Sequence, residues 1–245
     1  MKPLYLIVIS SILNLLLFPE AKSQQFSNDS AYVQHSSDNL LSNYKIEARQ
    51  NLRLYSGREY IPNGQRANGF RFFGSDSSIA GSIYYDDNLY LNVKMRYDLV
   101  LDELVIEDYT NNNAIKLTKE KVDYFNMPNH FFVRIVPDKS FSAILSPGFY
   151  EQLRNEPVLV FAKHEKKLVF SSKAEEEAKY IEYIFYFIKI KNVFYKIESE
   201  HAILQAMKDE KDLMKKYIRE NKISFKRNPE DALTKTAEYY SHLMN

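Results

Sequence analysis

Asp98, Asp102, Glu103, Glu107 and Asp108 crowd one short stretch of the chain. Two carboxylates held in one pocket can divide the work of general acid and general base, so this stretch is the first place to look for catalysis. The same residues also suit solvated strand faces and a turn, because charged side chains mostly face water. Asp86, Asp87 and Asn88 offer the oxygen ligands that calcium takes. They are equally the residues that dominate tight turns, and the turn reading is preferred. Of the five histidines, His35, His130, His164, His201 and His242, none lies within four residues of another, so local zinc spacing is absent. A histidine site would need convergence of distant positions. The chain carries no HExxH, GxSxG, P-loop or paired CxxC pattern.

Two further groups suit contact rather than catalysis. Tyr180, Tyr183, Phe185, Tyr186, Phe187, Phe194 and Tyr195 form an aromatic belt. Such rings stack on sugars or line an apolar groove, or pack across strands in a core. The chain lacks Trp, which weakens the sugar reading. Lys215, Lys216, Arg219, Lys222, Lys226 and Arg227 have only Glu220 among them as an acid. They could meet anionic lipid headgroups or an acidic partner, or simply solvate the negative end of a helix dipole. The candidate partner-binding residues are therefore these six cations with Tyr183, Tyr186 and Tyr195.

The elements that must position these groups are mostly strands. From Leu89 to Leu99 apolar and polar residues alternate, placing Leu89, Leu91, Val93, Met95, Tyr97 and Leu99 on an inner face. Tyr90, Asn92, Lys94, Arg96 and Asp98 fall on the outer one. A tight turn at Asp86-Asp87-Asn88 joins this strand to Ile83-Tyr84-Tyr85. Further strands are expected over 70–73, 104–109, 115–117, 122–125 and 130–136, with a first strand or short helix over 43–55. Ser146-Pro147-Gly148 reads as a turn or one helical turn running to Leu153. Val158–Ala162 and Leu168–Phe170 read as a hairpin turning at Glu165-Lys166-Lys167. Residues 180–190 and 193–197 read as another, turning at Lys191-Asn192. From Ser199 the period becomes helical: Ser199, Asp209 and Asn228-Pro229 are start signals for three helices.

The whole chain has 245 residues, 45% hydrophobic and 27% charged, which places it among globular proteins. Residues 1–23 read as a secretory signal peptide: Lys2, an apolar run over 4–18, and a small-x-small site at Ala21-Lys22-Ser23. The run is shorter than a spanning helix needs, and no second long apolar run follows. Residues 24–43, rich in Ser, Asn, Gln and Asp, read as a mobile leader. Cleavage would leave acids and bases in equal number, which gives no reason to expect nucleic acid as a partner. The absence of Cys excludes a disulfide scaffold.

The order RLYSGREY, NGFRFF, AGSIYYDDNLYLNVKMRYDLVLDELVI, HFFVRI, SPGFYEQL and KHEKKLVF, closing with FYKIESEHAILQAMKDEKDLMKKYIRENKISFKRNPEDAL, resembles a group of exported β-rich proteins common in Bacteroidota-type bacteria. The resemblance implies an envelope or secreted location, periplasmic, outer-membrane-associated or extracellular. It implies no activity and no site residue. The fold expected is α+β, mainly β: an antiparallel β sandwich or open barrel over 44–198, with C-terminal helices, 199–245, packed on it. Neither cofactor nor metal is expected. Two functions stay open: a non-catalytic envelope protein that binds a protein, lipid or glycan, and an enzyme acting on an envelope polymer through carboxylates gathered by the fold. An enzyme should place two of the named carboxylates or histidines in one concave pocket; a binding module should expose a contiguous patch.

Overall fold

The computed structural model describes residues 53–62, 67–108, 113–170 and 177–244, within a compact unit spanning residues 50–245. The expected signal peptide and leader lie outside the described residues, as does most of the segment expected to open the sheet. The described chain is mainly β, with helices at its C-terminal end. The strands are β1 (Arg58–Glu59), β2 (Ala67–Asn68), β3 (Ile79–Tyr85), β4 (Asn88–Asp98), β5 (Glu103–Glu107), β6 (Ala114–Lys116), β7 (Val122–Met127), β8 (His130–Ile135), β9 (Gly148–Arg154), β10 (Val158–Val169), β11 (Ala178–Ile190) and β12 (Val193–Ile197). They form one sheet in the order β1-β6-β5-β4-β3-β7-β8-β9-β10-β11-β12, with β2 pairing β11. Every pair along that path is antiparallel; only β2 runs parallel to its neighbour. Of the two expected architectures this is the open one, a single unclosed sheet rather than a sandwich.

Local chemistry sets the turns. Asp86 and Asp87 both take positive φ, 50° and 63°, as a two-residue hairpin loop requires, and Asn88 donates its amide to the Asp86 carbonyl. Asn129 (φ 65°) follows Pro128 between β7 and β8, and Lys191 (φ 54°) turns β11 into β12. Asp102 (φ 55°) turns β4 into β5.

The strand expected over 70–73 is a single isolated bridge, Phe72 with Asp98, and three further expectations about the strands change. The alternation in β4 holds from Val93 to Tyr97 and fails before it: Leu89 and Leu91 are 53% and 71% exposed, while Tyr90 is buried. The cause is a bulge. Gly81 pairs with Val93 but Ile83 pairs with Tyr90, so β4 holds one residue more than β3 between those pairs, and Asn92 sits there at φ 54°. Asn tolerates the left-handed conformation that such a bulge needs, and one extra residue reverses the facing of everything on one side. At the other end Asp98 is buried rather than wet, for reasons given below. Secondly, β10 runs unbroken through Glu165-Lys166-Lys167 and pairs with β11 from Val158↔Ile190 to Val169↔Lys179. Thirdly, Gly148 opens strand β9 and no helical turn.

Three helices close the chain: α1 (Glu200–Ala206), α2 (Lys211–Glu220) and α3 (Pro229–Leu243). Ser199 caps α1 by accepting from the Ala202 N–H, and Asn228 caps α3 by accepting from the Asp231 N–H with Pro229 just inside. Asp209, an expected cap, instead accepts a hydrogen bond from Tyr240 of α3. The helices cover one face of β10–β12. Met207, Met214, Leu233 and Ala237, all fully buried, meet Val158, Val160, Ala162 and Ile188. Each large side chain so buried contributes about 1.5–3 kcal/mol. A second apolar core fills the sheet from β3 to β9 around Ile83, Met95, Tyr97, Phe125, Phe132 and Phe149.

Candidate functional site

Between these two cores the sheet carries charge. Glu151 of β9 stands in register between Phe132 of β8 and Ala162 of β10, and is 6% exposed. Both its oxygens are engaged: Oε1 lies 2.6 Å from His130 Nδ1, and Oε2 2.8 Å from His164 Nε2. His164, two residues beyond Ala162 and 5% exposed, reaches with Nδ1 to Glu182 of β11 at 3.2 Å. Lys166 continues the series, 3.5 Å from Glu182 and donating to the Phe72 carbonyl at 2.7 Å. Phe73 sets its ring edge-on against both imidazoles, with centroids 4.7 and 5.0 Å apart.

The charges in this chain of groups sustain one another. Burial opposes the charged form of His164, but its bonds to Glu151 and Glu182 outweigh burial and raise its pKa above the ordinary value. Burial likewise opposes ionised Glu151, and the two imidazoles overcome it, leaving its pKa below the usual carboxylate value. The bond to His164 also holds Glu182 low, against its own burial and with help from Lys166. An internal carboxylate with both oxygens taken, beside an imidazole with both nitrogens taken, holds charge in place.

The acidic stretch proves equally committed. Asp98 is fully buried. Its Oδ1 accepts from the backbone N–H groups of Val100 and Leu101, and its Oδ2 accepts from the Tyr60 hydroxyl at 2.7 Å and lies 2.8 Å from Arg71 Nε. It therefore fixes the β4–β5 turn. Asp102, four residues on, accepts from the Tyr97 hydroxyl and from Lys163 on Oδ1, and from Lys119 on Oδ2. Lys163 also donates to the Phe149 carbonyl at 3.1 Å. Gly148 makes this possible: a Cβ there would collide with the Asp102 carboxylate and the Lys163 ammonium. Burial lowers the Lys163 pKa, with Asp102 opposing the shift. Glu103 pairs with Lys116 at 3.0 Å, and Glu107 faces Lys94 at 3.8 Å. Asp108 is buried. Asp102 and Glu103 line different surface hollows, so these two carboxylates do not share one.

The remaining candidates divide. His201 and His242 are exposed on helices, and His35 lies outside the described residues. Asp86 pairs with Lys121 at 3.0 Å. Among the described residues no group of three or more His, Cys, Asp or Glu is placed to hold a metal ion. All six cations of the basic segment, Lys215, Lys216, Arg219, Lys222, Lys226 and Arg227, are exposed. Tyr183 is exposed and Tyr195 half-buried. Tyr186 is 8% exposed, with its ring against Phe225 and its hydroxyl 3.4 Å from Glu230, which makes it a core residue beneath α3 and no surface contact. Among the described residues no helix is long and apolar enough to cross a membrane.

Sequence reasoning overlooked Glu151, Glu182, Lys163 and Lys166. Reading β10 as a hairpin put Lys166 in a turn and Lys163 and His164 on its approach. A signal was present: the apolar run over 180–190 is too long to be matched by residues 158–162 alone, so its partner strand had to continue through the charges. No family model matches this chain, no curated protein matches it, and no solved structure matches it.

Proposed function

We propose that this is an exported cell-envelope protein, akin to the exported group of Bacteroidota-type bacteria that its sequence resembles, and that it works by binding rather than by catalysis. The basic surface on α2 and the segment after it carries this reading. Met214 and Ile218 bury one side of α2, while Lys215, Lys216 and Arg219 stand in water on the other and Lys222, Lys226 and Arg227 extend the surface beyond it. Glu220 is the one acid among them, 4.0 Å from Lys216. Exposed Asp212 on α2 and Glu198 and Glu200 beside Lys226 offset part of this charge, and the cations still outnumber them. The excess favours an anionic lipid face, to which each nearby Lys or Arg adds about 1 kcal/mol.

Sedimentation with vesicles tests this. Binding to vesicles containing an anionic lipid is expected, with little to purely zwitterionic ones. It should weaken as salt rises, and Lys215→Glu with Lys216→Glu should reduce it further without changing the melting curve. Equal binding to both vesicle types, or indifference to the double substitution, would overturn the reading. So would turnover of a peptidoglycan or glycan substrate that is lost on changing Asp98, Asp102 or Glu103.

A further inference from the structure

On a different part of the surface, the β4–β5 turn and the second half of β10 border a hollow of about 610 Å³. Its walls combine two chemistries. Leu99, Val100, Leu101, Pro147 and Leu168 supply apolar surface, and Val100 and Leu101 are exposed. Lys119, Lys163 and Lys167 supply ammonium groups, against the carboxylates of Asp102 and Glu165, while the Lys166 ammonium lies on the opposite face of β10. Lys119 and Lys163 share the single carboxylate of Asp102, at 2.8 and 2.7 Å. Lys167 lies over the Tyr183 ring, 5.5 Å from its centroid. Three ammonium groups against Asp102 and Glu165 leave one positive charge over, which is the complement of a monoanionic head.

A second hollow, of about 470 Å³, shares Ser146, Pro147, Lys163 and Glu165 with the first, so the two adjoin. The second is lined by Ile144, Leu145, Tyr150, Phe185 and Phe187, with Lys196 at its edge paired to Glu198 at 2.7 Å. Leu145, Tyr150 and Phe187 belong to a buried cluster, so this apolar wall is already in place before any ligand arrives. The order along the surface is therefore cationic and apolar, then apolar and aromatic, with Lys163 at the junction.

We propose that the two adjoining hollows bind a single-chain fatty carboxylate. Its head lies among Lys119, Lys163 and Lys167 and its alkyl chain runs past Pro147 onto Ile144 and Phe185. Charge complementarity selects the head and the preformed apolar wall selects the tail. The site is separate from the α2 surface, so the two readings stand or fall independently.

Calorimetric titration with sodium octanoate, decanoate and dodecanoate, each below its micellar concentration, tests it. Affinity is expected to rise by up to about fourfold per methylene as chain is buried. Decyl maltoside, with the same tail and no charge, and acetate, with the head alone, should each bind at least tenfold more weakly than decanoate. Lys119→Gln with Lys167→Glu should weaken decanoate at least tenfold. Should that variant melt early, Ile144→Asp at an exposed position probes the tail separately, with the same loss expected. Lys215→Glu with Lys216→Glu should leave decanoate binding intact. No binding of decanoate, equal binding of decyl maltoside, no dependence on chain length, or indifference to both groove variants would each overturn the proposal.

Discussion

At the scale of single residues, His164 decides how stability responds to pH. Its pKa is raised on folding from an ordinary 6.5, so its contribution is complete below that value and is lost as pH rises through the folded one. Glu151 and Glu182 are held below an ordinary 4.5, so theirs is present above that value and is lost as pH falls through their folded ones. The two windows overlap between 4.5 and 6.5, and the melting temperature should peak there. His164→Gln should cost about 3 kcal/mol by stranding part of the Glu151 charge. It should also flatten the decline on the alkaline side. A melting temperature that climbs steadily from pH 5 to 8 would refute the assignment. None of this was legible in the sequence, where His130, Glu151, His164 and Glu182 lie far apart and only the register of four strands brings them together. The carboxylates that did stand out, Asp98 and Asp102, turned out to hold a turn and two lysines.

At the scale of elements, legibility followed the strength of local chemistry. The Asp86-Asp87 and Lys191-Asn192 turns and the caps at Ser199 and Asn228 fell where their residue types placed them, because each satisfies its own backbone demand locally. Strand β10 was misjudged because three successive charges imitate a turn when their partners are distant in sequence. The period of β4 breaks at its start because a bulge shifts it without changing composition, and at its end because Asp98 is buried against Arg71 and Tyr60. That bulge yields a test. Asn92→Val should cost about 1–2 kcal/mol, since a β-branched side chain resists the left-handed conformation, whereas Asn92→Gly should be neutral or slightly stabilising. Urea melts compare them directly. Equal losses from both would mean that the Asn92 side chain, not its backbone, matters.

At the scale of the whole molecule, an unclosed sheet without cysteine depends on its apolar cores, and the charged series lies between the two largest of them. Past Ala162 the edge of β10 that faced β9 parts from it, and the Lys166 N–H donates instead to the Leu99 carbonyl at 3.0 Å. This seam brings together the end of β4 and the far half of β10, which are remote in sequence, as are the partners in the β1–β6, β3–β7 and β2–β11 pairs. Among the described residues one backbone hydrogen bond links the two strands here, whereas β3 and β7 pair over four residues, so the seam opens at lower cost. The protein should therefore breathe at the seam without unfolding. Its Lys166 amide should exchange with solvent deuterium faster than amides of the β3–β7 pair, and Asp102→Asn should speed the former while sparing the latter. Exchange of all of them at a single rate, with or without that substitution, would mean that the seam is welded into one cooperative unit.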